Sequence, residues 1–138
     1  MAKVHSKNTV FKVDNSAGSL VDISGSLDSI EGLPGSYESI DTTSFGDGGH
    51  KTILGFSNAK IQLGGSFEAA THTVLSGILG QDATVTFEYG PAGSTSGLVK
   101  LTGEGRLSQY SISEQVGGKA SFTATVDVEG AVTSTTWA

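Results

Sequence analysis

The feature that most constrains this chain is a strict alternation of apolar and polar residues over residues 119–129. A period of two is typical of a β-strand with one face buried. Gly117–Gly118, directly before this segment, is typical of a tight hairpin turn and predicts an antiparallel partner over residues 106–116. The buried face of the strand would carry Ala120, Phe122, Ala124, Val126 and Val128.

Other segments show the same pattern and predict further strands. These are Thr9–Asp14, Leu20–Ser24, Lys60–Glu68, Ala83–Tyr89 and Leu98–Gly103. Gly64–Gly65 indicates a bulge or a close backbone approach. One short helix is predicted over residues 71–79, capped by Thr71 and ended by Gly80, with an apolar face of Val74, Leu75, Ile78 and Leu79. The fold class is therefore mainly β: one domain spanning residues 1–138, an antiparallel β-sandwich or barrel with one short helix on its flank.

The pattern loosens between residues 25 and 60, where glycine is frequent. An irregular strand is predicted over residues 37–45, followed by a long loop over about residues 42–58. This loop carries Phe45, Ile53, Leu54 and Phe56, which have no evident place in the core of a single subunit. Apolar side chains on a long loop favour docking onto another molecule. We therefore take these four residues and Trp137 as candidate inter-subunit contacts, with the loop mobile in a free subunit and ordered in an assembly.

Composition argues against several functions. The chain has no cysteine and a net charge of −6, which excludes thiolate chemistry and a basic footprint for nucleic acid. The three histidines have no metal-ligand spacing, and no nucleophile elbow or phosphate-binding glycine motif occurs. No apolar run approaches the roughly 18 residues of a membrane helix. We expect no catalytic site, no cofactor, no metal and no membrane partner.

Two observations keep other interpretations open. Only 16% of the residues are charged, so the surface must be rich in Ser and Thr. Such a surface suits contact between copies, but it is also that of an ordinary Thr-rich β-protein. Tyr37, Phe45, Phe56 and Trp137 lie outside the predicted core, which gives thin support for a carbohydrate-binding module.

The opening residues 1–9 (MAKVHSKNT), residues 41–46 (DTTSFG) before the long loop, and residues 63–67 (LGGSF) carry a family resemblance. With the mid-chain helix and the terminal alternating strands, they make the chain resemble the tail tube (major tail) proteins of long, non-contractile-tailed bacteriophages. The resemblance implies six-membered rings in which one sheet of each subunit joins its neighbours around a lumen. Rings would stack into a tube, bridged by the long loop and by an N-terminal arm of about residues 1–8.

The resemblance also implies a place and partners. The tube would belong to the virion tail and assemble in the bacterial host cytoplasm, with tape measure, tail terminator and baseplate proteins as partners. The genome would pass through it at ejection without specific binding. Alternative identities are another β-sandwich virion protein, such as a tail terminator or a capsid decoration protein, and the carbohydrate-binding module.

Physical arguments agree with a tube. A lumen of Ser, Thr and a few carboxylates would not hold DNA, because tight binding of phosphates requires cations. Both prolines, Pro34 and Pro91, lie outside the predicted strands. No proline therefore prevents an edge strand from pairing with a strand of a neighbouring subunit. The candidate lumen-facing residues are Glu68, Thr123, Thr125, Asp127 and Glu129, although this row could instead face the exterior.

Overall fold

The computed structural model describes residues 6–33 and 35–138, so most of the predicted N-terminal arm, residues 1–5, lies outside the described residues. Nine strands and one α-helix form within this part of the chain, with short 3-10 turns at Ser6–Asn8 and Ser24–Ser26. The elements are β1 (Val10–Asp14), β2 (Leu20–Asp22), β3 (Leu27–Glu31), β4 (Tyr37–Asp41), β5 (Thr52–Ser57), β6 (Lys60–Ser66), α1 (Ala69–Ile78), β7 (Val85–Gly90), β8 (Val99–Ser113) and β9 (Ser121–Thr136).

Seven strands form one antiparallel sheet in the order β2-β1-β7-β8-β9-β6-β3, and among the described strands β4 pairs with β5 alone. The two longest strands, β8 and β9, divide the large sheet into two wings. In the first wing, residues 99–105 of β8 and 129–136 of β9 continue the sheet from β2, β1 and β7. In the second wing, residues 106–113 of β8 and 121–127 of β9 continue into β6 and β3. The β8–β9 ladder changes register at Thr102/Glu104 and Leu107/Gln109, where the wings meet; such bulges bend a sheet.

The two wings fold over each other. β2 and β3 lie at opposite edges of the sheet, yet only residues 23–26 connect them, so the edges must approach each other. Phe11 and Phe87 of the first wing share one buried cluster with Ile61 and Phe122 of the second. The expected antiparallel β-sandwich is therefore confirmed. It does not close into a barrel, because β2 and β3 do not pair within residues 6–33 and 35–138.

The predicted helix is present, with different details at its start. It begins at Ala69, and Thr71 does not cap it: Thr71 is buried, and its hydroxyl lies 2.6 Å from that of Ser26. Val74, Leu75 and Ile78 are buried as expected, whereas Leu79 is exposed because the helix has ended before it. Gly80 follows with φ +74°, so the glycine stop is confirmed.

Two glycine pairs in the predicted strands have different outcomes. Gly103 and Gly105 do not break β8, because both stay in the ladder opposite Phe87 and Val85 of β7. The close approach predicted at Gly64–Gly65 is confirmed, since a Cβ at Gly65 would lie 2.0 Å from the carbonyl oxygen of Ser26.

The loop predicted over residues 42–58 is shorter than expected, because its second half forms β5. β3 was also missed within the same loose region. β5 has no buried face, so nothing selects alternation in its sequence.

Candidate self-assembly surfaces

The outward side of the second wing is a polar surface, which we call the polar face. Along β9, the residues that alternate with the buried Phe122, Ala124 and Val126 point outward. Their partners on the paired strands point to the same side, which identifies the other residues of this surface. Thr125 lies at its centre, with its hydroxyl 3.3 Å from the side-chain oxygens of both Gln62 and Gln109. The polar face comprises Ser29, Glu31, Lys60, Gln62, Gly64, Ser66, Arg106, Gln109, Ser111, Ser113, Ser121, Thr123, Thr125 and Asp127.

Charges on this surface sit mainly at its two ends and lie beside opposite charges. At one end, Lys60 Nζ lies 3.8 Å from a carboxylate oxygen of Asp127, and Arg106 lies 3.3 Å from that of Glu129. At the other end, the ammonium group of Lys119 lies 2.8 Å from Asp28 and 3.0 Å from the hydroxyl of Ser66. The centre is occupied by hydroxyl and amide groups, so the surface offers no cluster of surplus cations.

Most of the predicted lumen residues come together here. Thr123, Thr125 and Asp127 share the polar face, and Glu129 joins it through Arg106. Glu68 does not, because β6 ends at Ser66 and Glu68 precedes the first turn of α1. The predicted strand Lys60–Glu68 therefore ends two residues early, because the chain turns toward the helix before the alternation reaches Glu68. The lumen-facing role of Glu68 stays a prediction.

Each wing leaves strand edges that no other described strand covers. The second wing has edges at β3 and at residues 107–113 of β8, and the first has edges at β2 and at residues 129–136 of β9. Residues 107–113 carry neither a charge nor a proline, the usual devices that blunt an edge. The carbonyl of Leu107 on this edge accepts a 3.2 Å hydrogen bond from the Gly80 amide. Backbone groups beyond Leu107 have no described strand as a partner and can pair with another strand.

The β4–β5 hairpin is the main apolar surface. It is a separate two-stranded sheet in which Ile40 pairs with Ile53 and Ser39 with Leu54. Alternation places Ile40 and Ile53 on one side and Leu54 on the other, and a register shift between Leu54 and Ser57 interrupts the alternation before Phe56. The four predicted contacts on this segment are all exposed, from Ile53 at 55% to Phe56 at 85% and a fully exposed Phe45. Their role between subunits stays a prediction.

The hairpin is attached at its base and ordered at its tip. The Ser57 hydroxyl donates a 3.0 Å hydrogen bond to the carbonyl of Gly130 in β9. At the tip, Asp41 accepts from the Thr43 amide and Asp47 from the Ser44 amide, both at 2.8 Å, and Lys51 lies 3.0 Å from Asp47. Hydrogen bonds from Thr43 lower the pKa of Asp41, and those from Ser44 and Lys51 lower the pKa of Asp47.

Trp137 does not belong to an exposed surface. Its side chain is only 9% exposed and lies under two ammonium groups, with Lys12 Nζ 5.3 Å and Lys100 Nζ 5.0 Å from the ring centroid. Its backbone pairs with Leu98 and Gly97. The prediction of Trp137 as an inter-subunit contact is therefore corrected, because the subunit itself covers the ring.

Nothing described here resembles a metal site. Within residues 6–33 and 35–138, no group of three or more His, Asp or Glu side chains is placed to hold a metal ion. In the same part of the chain, no helix is long and apolar enough to cross a bilayer.

A cleft of about 510 Å³ lies between β3 and Tyr89, lined by Lys7, Thr9, Ser24, Leu27, Asp28, Ser29, Ile30 and Tyr89.

Comparison with known proteins identifies the architecture. No family model and no curated protein matches the sequence. The tail of an empty gene transfer agent particle with C6 symmetry contains a similar chain, at 18% identity and a TM-score of 0.71, covering 96% of this chain and 99% of that one. The SPP1 tail tube contains another, at 10% identity and a TM-score of 0.72, covering 97% and 80%.

The fold is that of phage tail tube proteins. A third similar structure, the sheath/tube terminator of the PVC extracellular contractile injection system, has 15% identity and a TM-score of 0.68 and covers 98% of each chain. At these identities the likeness establishes the fold.

Proposed function

We propose that this chain is the structural subunit of a tail tube, assembled as stacked six-membered rings around a lumen through which a genome passes. The fold is shared with a tail of C6 symmetry and with a tail tube, which supports this assembly. The tube would be part of the virion tail and form in the bacterial host cytoplasm. Tape measure, terminator and baseplate proteins would contact it, and its role would be structural rather than enzymatic.

The observation that carries the proposal is the number of strands in the second wing. Its four strands, β8, β9, β6 and β3, alternate in direction, so its two edge strands run in opposite directions. β3 of one copy can therefore pair with β8 of the next and continue the antiparallel ladder around a ring. The first wing has five strands and parallel edges, so joining its copies would need a parallel pair, which is less stable. We infer that the second wing forms the wall of the lumen.

This arrangement turns the polar face toward the lumen. Proteins hold DNA chiefly through cations that replace the counterions of its phosphates. Lys60, Arg106 and Lys119 each lie beside a carboxylate, so few free cations face the passage. Thr123 and Thr125, with Asp127 and Glu129, would line a wall along which DNA can slide.

The hairpin would connect successive rings. It leaves the second wing at the end where β6 begins, whereas the β8–β9 turn lies at the opposite end. Identical rings stacked head to tail would bring the hairpin of one ring against the next ring. Phe45, Ile53, Leu54 and Phe56 would then lose their exposure to water, which favours stacking.

One other assignment has an observation in its favour. A tail terminator would form a single ring, and the fold is also that of the PVC sheath/tube terminator. Negative-stain electron microscopy of the purified protein separates the two. Hollow tubes are expected. Single rings at every concentration would favour the terminator, and monomers alone at high concentration would contradict both.

A further inference from the structure

The free edges of the second wing carry an exposed apolar side chain and a partly apolar cleft. On β8, Ile112 is 44% exposed although Phe122, its partner across the ladder, is only 2% exposed. At the opposite edge, β3 borders the cleft of about 510 Å³. Leu27, Ile30 and Tyr89 line it together with the polar residues Lys7, Thr9, Ser24, Asp28 and Ser29. Among the described residues, one edge therefore presents an uncovered side chain, and the other borders an open cleft.

Both features lie on the same side of the sheet. Ile112 points to the core side, because it pairs with the buried Phe122. On β3, Ile30 pairs with the buried Leu63 and also points to the core side. A strand that joins an existing sheet must keep its apolar side on the core side, since a shift of one residue would reverse every side chain. Pairing of β8 with β3 therefore places Ile112 on the side of the cleft.

They also lie at the same height along the strands. Leu27 pairs with Gly65, Gly65 with Phe122, and Phe122 with Ile112, so these four residues form one row across the second wing. A closed ring requires some stagger between neighbouring strands, and that stagger must be an even number of residues. With no stagger Ile112 lies opposite Leu27, and with two residues of stagger it stays beside the cleft.

We propose that Ile112 of one copy fills the cleft beside β3 of the next copy and is the main apolar contact within a ring. The inference rests on the proposed function and specifies its lateral contact. Its occupant is a second copy of this chain, because direction, side and row all match between the two edges. Each copy gives one Ile112 and receives one, as a head-to-tail ring requires.

The first test replaces Ile112 with a charge. Ile112→Asp is expected to raise the protein concentration needed for ring or tube formation about tenfold or more, because the contact loses its apolar burial and would bury a carboxylate. The matched control is Val99→Asp, since Val99 lies on the same strand in the first wing and is 48% exposed. The control is expected to assemble as the wild type does. Thermal unfolding at a concentration where both variants are monomeric checks that each one folds.

The second test measures proximity directly. The chain has no cysteine, so introduced pairs have no background. Ser29→Cys with Ser111→Cys joins one row of the polar face. Within one subunit these positions are three strand spacings apart, roughly 14 Å, whereas a disulfide needs Cα atoms about 4.4–6.8 Å apart. Oxidation is therefore expected to give covalent oligomers, and Ser29→Cys with Ser134→Cys, on the free edge of the first wing, is expected to stay monomeric.

If the two edge strands are shifted by two residues, Gln109 or Ser113 lies opposite Ser29 in place of Ser111. Ser29→Cys is therefore also combined with Gln109→Cys or with Ser113→Cys. Cross-links with any of the three β8 positions support the pairing of β3 with β8, and impaired assembly of Ile112→Asp supports the Ile112 contact. If the protein forms tubes and Ile112→Asp assembles as the wild type does, the inference is overturned and the tube function stands, whether or not a β8 position cross-links. If the wild type forms neither rings nor tubes and no pair cross-links, the inference and the proposed function both fail.

Discussion

The polar face and the β4–β5 hairpin are both exposed in the subunit, but their side chains meet water differently. On the polar face, hydroxyl, amide and charged groups lie within hydrogen-bond distance of one another, as the Thr125 hydroxyl does between Gln62 and Gln109. On the hairpin, Leu54 and Phe56 expose apolar surface that water does not favour. The two surfaces therefore differ in how exposure affects their stability. Polar groups of the polar face can hydrogen-bond to one another and to water, whereas the apolar side chains of the hairpin are stabilised only when another molecule covers them.

The strongest test of this comparison charges the hairpin. The double variant Leu54→Asp with Phe56→Asp is expected to abolish stacking into tubes, because each side chain contributes about 1.5–3 kcal/mol when buried. The critical concentration should rise more than about a hundredfold, measured by sedimentation and electron microscopy. Thr52→Asp, on the same side of β5 as Leu54, is the control and should still form tubes. Tubes of normal length from the double variant would show that the hairpin does not join rings.

A second test asks whether Trp137 belongs with the hairpin or with the core. Because the subunit covers its ring, Trp137→Ala is expected to lower the free energy of unfolding of the monomer by about 3 kcal/mol. Urea denaturation below the assembly concentration measures this change, and Trp137→Phe should lose less. An unchanged unfolding free energy with lost assembly would return Trp137 to the inter-subunit contacts.

A third test changes the polar face from neutral to basic. Thr123→Lys with Thr125→Lys adds two cations per subunit, so tubes assembled with short duplex DNA should retain at least about tenfold more of it at low salt. That DNA should resist nuclease if the polar face lines the lumen. The control, Thr133→Lys with Thr135→Lys on the first wing, should bind DNA that nuclease digests. The opposite protection pattern would place the polar face on the exterior.

The smallest expected effect concerns acid and the hairpin tip. The folded pKa values of Asp41 and Asp47 lie below the ordinary value of 3.8, so their hydrogen bonds stabilise the tip at any pH above that value. The stabilisation is lost as the pH falls through the lowered folded values. Amide exchange of residues 42–51, corrected for its intrinsic pH dependence, should therefore accelerate only below about pH 4. Asp47→Asn should remove part of this dependence, and equal acid sensitivity in both proteins would contradict the assignment.

Local patterns in the sequence were sufficient for the elements that have a buried face. The alternation before Val128 predicts β9, and the four-residue spacing of Val74 and Ile78 predicts α1, because each places apolar side chains against the core. β5 escaped prediction for the opposite reason, since its residues contact no core on either side. The order of strands in the sheet depends on contacts far apart in sequence, such as that of β3 with β6, and no local pattern contains it.

The candidate surfaces were predicted unequally for similar reasons. Phe45, Ile53, Leu54 and Phe56 were recognisable because apolar residues on a glycine-rich segment have no core to join. Trp137 was misread because nothing local reveals that Lys12 and Lys100, more than thirty residues away in sequence, cover it. Ile112 was not singled out either, because only the pairing of β8 shows that it lies on an open edge.

β8 and β9 each run from one wing into the other without a loop between. The two layers of the sandwich are therefore one piece of hydrogen-bonded backbone, so a twist applied to either layer must turn the other. In a stack of such subunits, torque felt at the inner wall would be transmitted to the outer surface through covalent strands rather than through side-chain packing.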